Sequence, residues 1–386
     1  MMEKIQDAIR RRVLLLDGAM GTMIQRMGLQ EADFRGERFK DLPGQQQGNN
    51  DLLTLTRPDV IREIHRRYLE AGADIIETNT FSSQRVSMAD YHCEPYCYEL
   101  NLAAARLARA LADEYTERNP QQPRYVAGSI GPTNKTCSIG PDINDPAYRA
   151  VTFDELVLAY TEQTEALLAG GVDVLLIETI FDTLNAKAAL YAAEQVMARS
   201  RQVPVMLSVT IADKSGRTLS GQTVEAFLAS ISSYTVFSVG LNCSFGAKEM
   251  KPFLRRLAQL APCYVSAYPN AGLPNDLGQY DQTPEEMALE IRPYVAERLV
   301  NVLGGCCGTT DAYIREMGKI VRSANADPAY QPRLPQPSEP HLLLSGLDVL
   351  EVRPERNFVN IGERCNVAGS RKFLRCIRER NYTEAI

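Results

Sequence analysis

Along the first 325 residues, short runs of consecutive apolar positions alternate with longer stretches whose apolar residues recur at helical spacing. The runs fall at residues 12–17 (RVLLLD), 73–78 (ADIIET), 124–129 (RYVAGS) and 173–178 (DVLLIE), then at 204–210 (PVMLSVT), 237–242 (FSVGLN), 263–268 (CYVSAY) and 298–304 (RLVNVLG). They lack polar alternation, as expected of parallel strands covered by helices on one face and by their own core on the other. Between them the spacing predicts helices. One opens at Thr56-Arg57-Pro58, carries the stripe Ile61, Ile64, Tyr68, and stops at Ala71-Gly72, a glycine C-cap. Thr152 and Glu155 form a capping box for a helix ending at Gly170-Gly171. Thr283, Pro284 and Glu286 open another, with proline at its first position.

Two of these units share a design. AGADIIET at 71–78 and GGVDVLLIET at 170–179 both pass from a glycine exit through an Asp and an apolar strand to a terminal Glu-Thr. Eight strand–helix units predict an α/β fold, a (β/α)8 TIM barrel, in which chemistry lies at the C-terminal ends of the strands. An open, doubly wound sheet is the rival, because counting strands does not establish closure. After Val321 the texture changes. Residues 326–340, ADPAYQPRLPQPSEP, carry five prolines and predict an extended, semi-rigid linker. The expected organisation is a barrel over 1–325, a Pro-rich linker over 326–356, and the truncated start of a second module over 357–386, too short to stand as a domain.

Composition narrows the class of function. A chain of 386 residues with 45% hydrophobic and 23% charged residues reads as a soluble globular protein. Its net charge of −6, without a Lys/Arg stripe, argues against a nucleic-acid partner. The short basic runs at Arg10-Arg11-Arg12 and Arg66-Arg67 read as solvated faces. No apolar stretch approaches the roughly 20 residues that span a bilayer, and MMEKIQDAIRRR has no signal core. No membrane partner and a cytoplasmic home are expected, and the chain is expected to be monomeric. In that setting nine cysteines, an odd number, speak against a disulfide framework. Cys93, Cys97, Cys137, Cys263 and Cys376 read as buried free thiols, and Cys365 is undecided.

The strand ends gather the chemistry. Strand one runs into DGAMGT (17–22), strand two ends in Glu77-Thr78-Asn79, strand three in GSIGPTNKT and strand four in Glu178-Thr179. Strands six, seven and eight end in NCSFG, YPNAG and GGCCG. Cys243 and the vicinal pair Cys306-Cys307 thereby fall on one rim, where three thiolates can share a tetrahedral zinc ion and leave a fourth corner open. Such an electron-rich site favours S-alkylation of an incoming thiol, held as thiolate by the metal. Water activation suits histidine ligands better, and none of His65, His92 and His341 ends a strand. Asp17 and Glu178 face the same rim and suit an ammonium, or else cap the barrel. The glycine-rich DGAMGT turn offers backbone N–H groups to a carboxylate. Together these describe an amino acid with a side-chain thiol.

In this order, DGAMGT, ADIIETNTF, GPTNKT, LLIETIFDT, GLNCSFG, YPNAGLPN and GGCCGTT resemble the homocysteine-binding module of cobalamin-dependent methionine synthases over about residues 10–325. The resemblance implies zinc, one per chain, on Cys243, Cys306 and Cys307. It implies Asp17 and Glu178 on the homocysteine ammonium, Gly21-Thr22 on its carboxylate, and Asn270 at the open corner of the metal before substrate arrives. NFVNIGERCNVAGSRKF resembles the opening of a methyltetrahydrofolate-binding module, with Asn366 a pterin contact. The implied reaction is S-methylation of homocysteine to methionine. The methyl group is relayed from 5-methyltetrahydrofolate through methylcobalamin, bound by modules outside this chain. Single-module enzymes that methylate homocysteine from betaine or S-methylmethionine share the zinc site. A thiol–disulfide oxidoreductase and a structural zinc module are the rivals from other classes; the first lacks the usual CxxC arrangement, and the second needs a fourth permanent protein ligand.

Overall fold

A computed structural model describes residues 3–145, 147–337, 341–360, 362 and 367–385; Cys365 and Asn366 lie outside them. The chain divides into two compact units, Met1–Glu339 with Leu344–Val349, and Pro340–Leu343 with Leu350–Ile386. In the second, the helix Arg371–Arg378 is capped by Ser370, whose hydroxyl accepts from the Phe373 amide, and buries Cys376.

The first unit is built from eight parallel strands. They are β1 (Leu14–Leu15), β2 (Ile75–Glu77), β3 (Tyr125–Ile130), β4 (Val174–Ile180), β5 (Val205–Val209), β6 (Ser238–Asn242), β7 (Tyr264–Tyr268) and β8 (Val302–Leu303). Each pairs with its successor from β2 to β8, and β1 pairs with β8 through Leu14–Val302 and Leu15–Leu303. A single parallel bridge, Leu16–Ile75, joins β1 to β2 and closes the ring. The open sheet is thereby excluded. One helix follows each strand around the outside: α1 (Pro58–Ala71), α2 (Cys97–Arg118), α3 (Phe153–Ala169), α4 (Thr183–Ala198), α5 (Val224–Ser230), α6 (Ala247–Leu260), α7 (Pro284–Ala296) and α8 (Asp311–Ala326).

The caps read from sequence hold these helices. Gly72 ends α1 with φ of 108°, a conformation that glycine adopts without a Cβ penalty. The reciprocal bonds Thr152–Glu155 and Thr283–Glu286 open α3 and α7. Because the strands are buried on both faces, alternate residues divide into two cores. Leu15, Ile76, Val126, Leu175 and Leu207 pack outward against the helices, whereas Leu14, Leu16, Ile75, Tyr125, Val174, Leu176 and Met206 fill the barrel. A short helix, Ile5–Arg11, adds Ile5, Ala8 and Ile9 to the inner core. The first part of the proline-rich stretch is held by the buried Arg333, whose guanidinium donates to the carbonyls of Ala258, Ala261 and Cys263. Among the described residues no helix is long and apolar enough to cross a membrane.

One buried group costs this fold stability. His65 on α1 is fully buried with neither ring nitrogen hydrogen-bonded. Burial, and secondarily Arg62, pushes its pKa down to about 4 from 6.5. The unfolded chain therefore binds the extra proton, and stability present above pH 6.5 is lost as pH falls toward 4. Between pH 7.5 and pH 5 this loss comes to about 2 kcal/mol. Urea unfolding at the two pH values should show that difference between the protein and its His65→Leu variant.

Candidate functional site

Strand parity decides which polar side chains enter the barrel mouth. On β4, Val174 and Leu176 point into the barrel, so the next residue on that face is Glu178. On β6 the same alternation ends at Asn242, and the chain then turns sharply. Cys243 and Ser244 both have φ of 60°, a left-handed conformation that costs non-glycine residues of order 1–3 kcal/mol each. The turn is held by Phe245 N donating to Cys243 O at 2.7 Å and by Thr210 Oγ1 and Ser244 Oγ at 2.6 Å. It aims the Cys243 sulfur across the mouth toward β8.

After β8, Gly304 and Gly305 leave no room for side chains. A Cβ at Gly304 would stand 2.7 Å from that of Leu16, and one at Gly305 would stand 2.5 Å from Thr309 Oγ1. Backbone bonds fix the loop that follows: Cys306 N donates to Pro269 O at 2.9 Å, and Ala271 N to Cys307 O at 2.9 Å. Cys243 and Cys307 are 3.9 Å apart, and all three sulfurs lie within 4.8 Å of one another. The sulfurs are close enough to share hydrogen bonds, and this splits their acidities. Cys243 is pulled well below the usual thiol range, and the other two are pushed up. Asn270, 3% exposed, brings its side chain beside Cys243 and leaves Oδ1 buried without a partner. Such an orphaned acceptor is costly unless a donor or a cation reaches it. Three soft sulfurs fit a metal ion of tetrahedral preference, with Asn270 beside them.

The same cavity, of about 510 Å³, runs from the sulfurs to Asp17, Glu77 and Glu178. Asp17 Oδ2 accepts from Glu77 N at 3.0 Å, while its Oδ1 is buried and unpartnered. Glu178 accepts from the hydroxyl of Ser129, with the Tyr268 hydroxyl at 3.5 Å. Burial raises all three carboxyl pKa values, that of Glu178 to about 7. Their mutual repulsion adds to the shifts of Asp17 and Glu77, and the charge of Cys243 to that of Glu178. With the buried Asp51 these make four acids facing one cavity with no basic side chain among its lining residues, which calls for a cation from outside.

The DGAMGT segment lines the same cavity. Met20–Arg26 is a short helix, so Gly21 and Thr22 sit in its first turn rather than in the open turn their composition suggests. First-turn amides have no partner within a helix and face an anion readily. Thr22 Oγ1 accepts from Gly308 N at 3.0 Å, tying this turn to the cysteine loop.

The structure thus brings Asp17, Gly21, Thr22, Glu178, Cys243, Cys306 and Cys307 to one cavity and sets Asn270 beside it, whereas Asn366 lies outside the described residues. Two neighbours escaped assignment from sequence. Glu77 occupies in the 71–78 unit the place of Glu178 in the 170–179 unit, so the internal likeness was its signal. Tyr280 packs its ring over Gly308, where a Cβ would come within 2.4 Å, and its hydroxyl lies beside Cys307. It comes from a loop distant in sequence, and no local motif marked it.

A family model described as homocysteine S-methyltransferase matches residues 14–321. Among solved structures, the homocysteine methyltransferase MmuM from Escherichia coli shares the fold. Its oxidized form matches with a TM-score of 0.62 at 23% identity, over 80% of this chain and 95% of that one. Its metallated form matches with a TM-score of 0.59 at 24% identity, over 80% and 96%.

Proposed function

Because this chain belongs to the homocysteine S-methyltransferase family, and is therefore an enzyme that transfers methyl groups, we propose that it activates homocysteine at a zinc ion held by Cys243, Cys306 and Cys307. The observation that carries this reading is the meeting of three sulfurs with the acids Asp17, Glu77 and Glu178 in one cavity. Zinc bound there supplies the positive charge that keeps an incoming thiol deprotonated near neutral pH. Asp17 and Glu178 receive the ammonium group, and the free amides at Gly21 and Thr22 receive the carboxylate. Held at both ends, the amino acid would direct its sulfur toward the cysteines that would hold the metal, beside Asn270. The low-dielectric walls strengthen each of these contacts. The homocysteine sulfur then forms a bond to the methyl carbon as the bond from that carbon to its donor breaks.

The donor in this reading is methylcobalamin, recharged from 5-methyltetrahydrofolate by modules outside this chain. The sequence from 357 onward supports it, by its resemblance to a folate module that follows a linker over 326–356. Methionine formation from methylcobalamin, but from neither S-methylmethionine nor betaine, is the expected result with the isolated chain. The reverse preference would assign it to the single-module reading.

X-ray absorption at the zinc edge tests the metal chemistry. Three sulfur neighbours and one lighter neighbour are expected without substrate, and four sulfurs with homocysteine. A shell unchanged by homocysteine would identify a structural zinc site. Sulfur–sulfur bonding in place of metal would identify a redox pair.

A further inference from the structure

Asn242 is 1% exposed at the mouth end of β6, directly before Cys243. Its carboxamide reaches two other strands, β4 and β5, and the loop after β8. Oδ1 accepts from Thr179 N at 3.1 Å and from Ser208 Oγ at 2.7 Å. Nδ2 donates to Thr179 Oγ1 at 2.8 Å and points at Cys306 Sγ from 3.8 Å. The orientation of the amide is fixed chemically. Thr179 N–H can only donate, so the oxygen must face it, and the nitrogen must face the sulfur. Thr179 itself has φ of 54°, an uncommon conformation for a β-branched residue, and it follows Glu178.

We infer that Asn242 is a positioning residue that presents Cys306 to the metal and locks that sulfur to the Glu178–Thr179 segment that receives the ammonium. The inference rests on the zinc reading above and deepens it. A neutral N–H donor orients a thiolate and withdraws electron density from it without adding a counter-charge. That suits a site whose sulfurs must release as well as hold their guest. Partners of this kind, one layer outside a metal, typically carry a 10- to 100-fold effect on its affinity. Asn242 also joins the two halves of the cavity, so displacement of Cys306 is transmitted to the amino-acid end.

The test is Asn242→Asp, which keeps nearly the same shape and can still accept from Thr179 N–H and Ser208. It cannot donate to Cys306, and its carboxylate repels that sulfur. Zinc affinity measured by chelator competition is expected to fall about 10- to 100-fold. The sulfur-to-cobalt absorption of the Co(II)-loaded protein is expected to shift, and the KM for homocysteine to rise. A purely structural role would lower the melting temperature and leave the cobalt spectrum in place, which overturns the inference. Asn242→Ala, which has no side-chain donor and is smaller, serves if the Asp variant does not fold. Wild-type protein that loads one ion, beside a variant with unchanged affinity and spectrum, sinks the positioning role alone. Wild-type protein that loads no ion sinks the zinc reading and this inference together.

Discussion

Replacing Cys306 with alanine is expected to leave a folded barrel that retains no zinc. The fold does not depend on this thiol. The loop that carries it is held by backbone bonds, from Cys306 N to Pro269 O and from Thr309 N to Cys306 O, which alanine preserves. The Thr309 hydroxyl likewise bonds the Cys306 carbonyl, not its sulfur. In the proposed site the metal would depend on it. A catalytic zinc with three protein ligands has no spare donor, and the waiting Asn270 oxygen is a much weaker ligand than a thiolate. Metal content by mass spectrometry should fall from one per chain to near zero, with the far-ultraviolet circular dichroism unchanged. Homocysteine binding should weaken with it, since the thiol end of the substrate loses its partner. One zinc retained per chain in this variant contradicts the ligand assignment.

The features most legible in the sequence were those that local chemistry fixes. The apolar runs from 73–78 to 263–268 mark strands because burial on both faces demands them, and each lies on an observed strand. The caps at Gly72, Thr152 and Thr283 followed from φ preference and from side chains reaching free amides. The runs at 12–17 and 298–304 overshoot, because only Leu14–Leu15 and Val302–Leu303 stay in the ladder. Beyond them the chain bends into the rim at Asp17 and Gly304. Closure was not legible at all, since it rests on pairs such as Leu14–Val302 that join the two ends of the barrel. Nor was the helix Ile5–Arg11, too short to be stable alone and held by its place in the inner core. The convergence of Cys243 with Cys306 and Cys307 was legible only through the fold. Neither the spacing nor the thiols themselves require it, but strand ends in a barrel share one rim. Asn242 stayed silent for the opposite reason: a lone polar residue at a strand end has many uses until its partners are seen.

Glu178→Gln should separate the acid's role in binding from its cost to the free protein, because the two effects have opposite signs. In the proposed complex, the buried carboxylate of Glu178 would face the ammonium of the substrate. Truncating one partner of such a buried charge pair costs about 2–5 kcal/mol. Asp17 and Glu77 remain, so the lower end applies, and homocysteine affinity by calorimetry should fall about 30-fold while zinc content stays at one per chain. In the free protein the same carboxylate is a liability. Its pKa stands at about 7 against an ordinary 4.5, first because burial disfavours its charge. A carboxyl raised on folding stabilises the native state fully below pH 4.5, and that contribution is lost as pH rises through 7. Glutamine does not titrate, and it can still accept the Ser129 hydroxyl. The substrate-free variant should therefore match wild type near pH 4.5 and exceed it increasingly up to pH 8, by at most about 3 kcal/mol. A carboxylate that merely braced the barrel would give the reverse, a variant less stable at pH 8 with undiminished affinity for homocysteine. Weaker binding together with a more stable empty protein is the signature of a charge kept buried for its substrate.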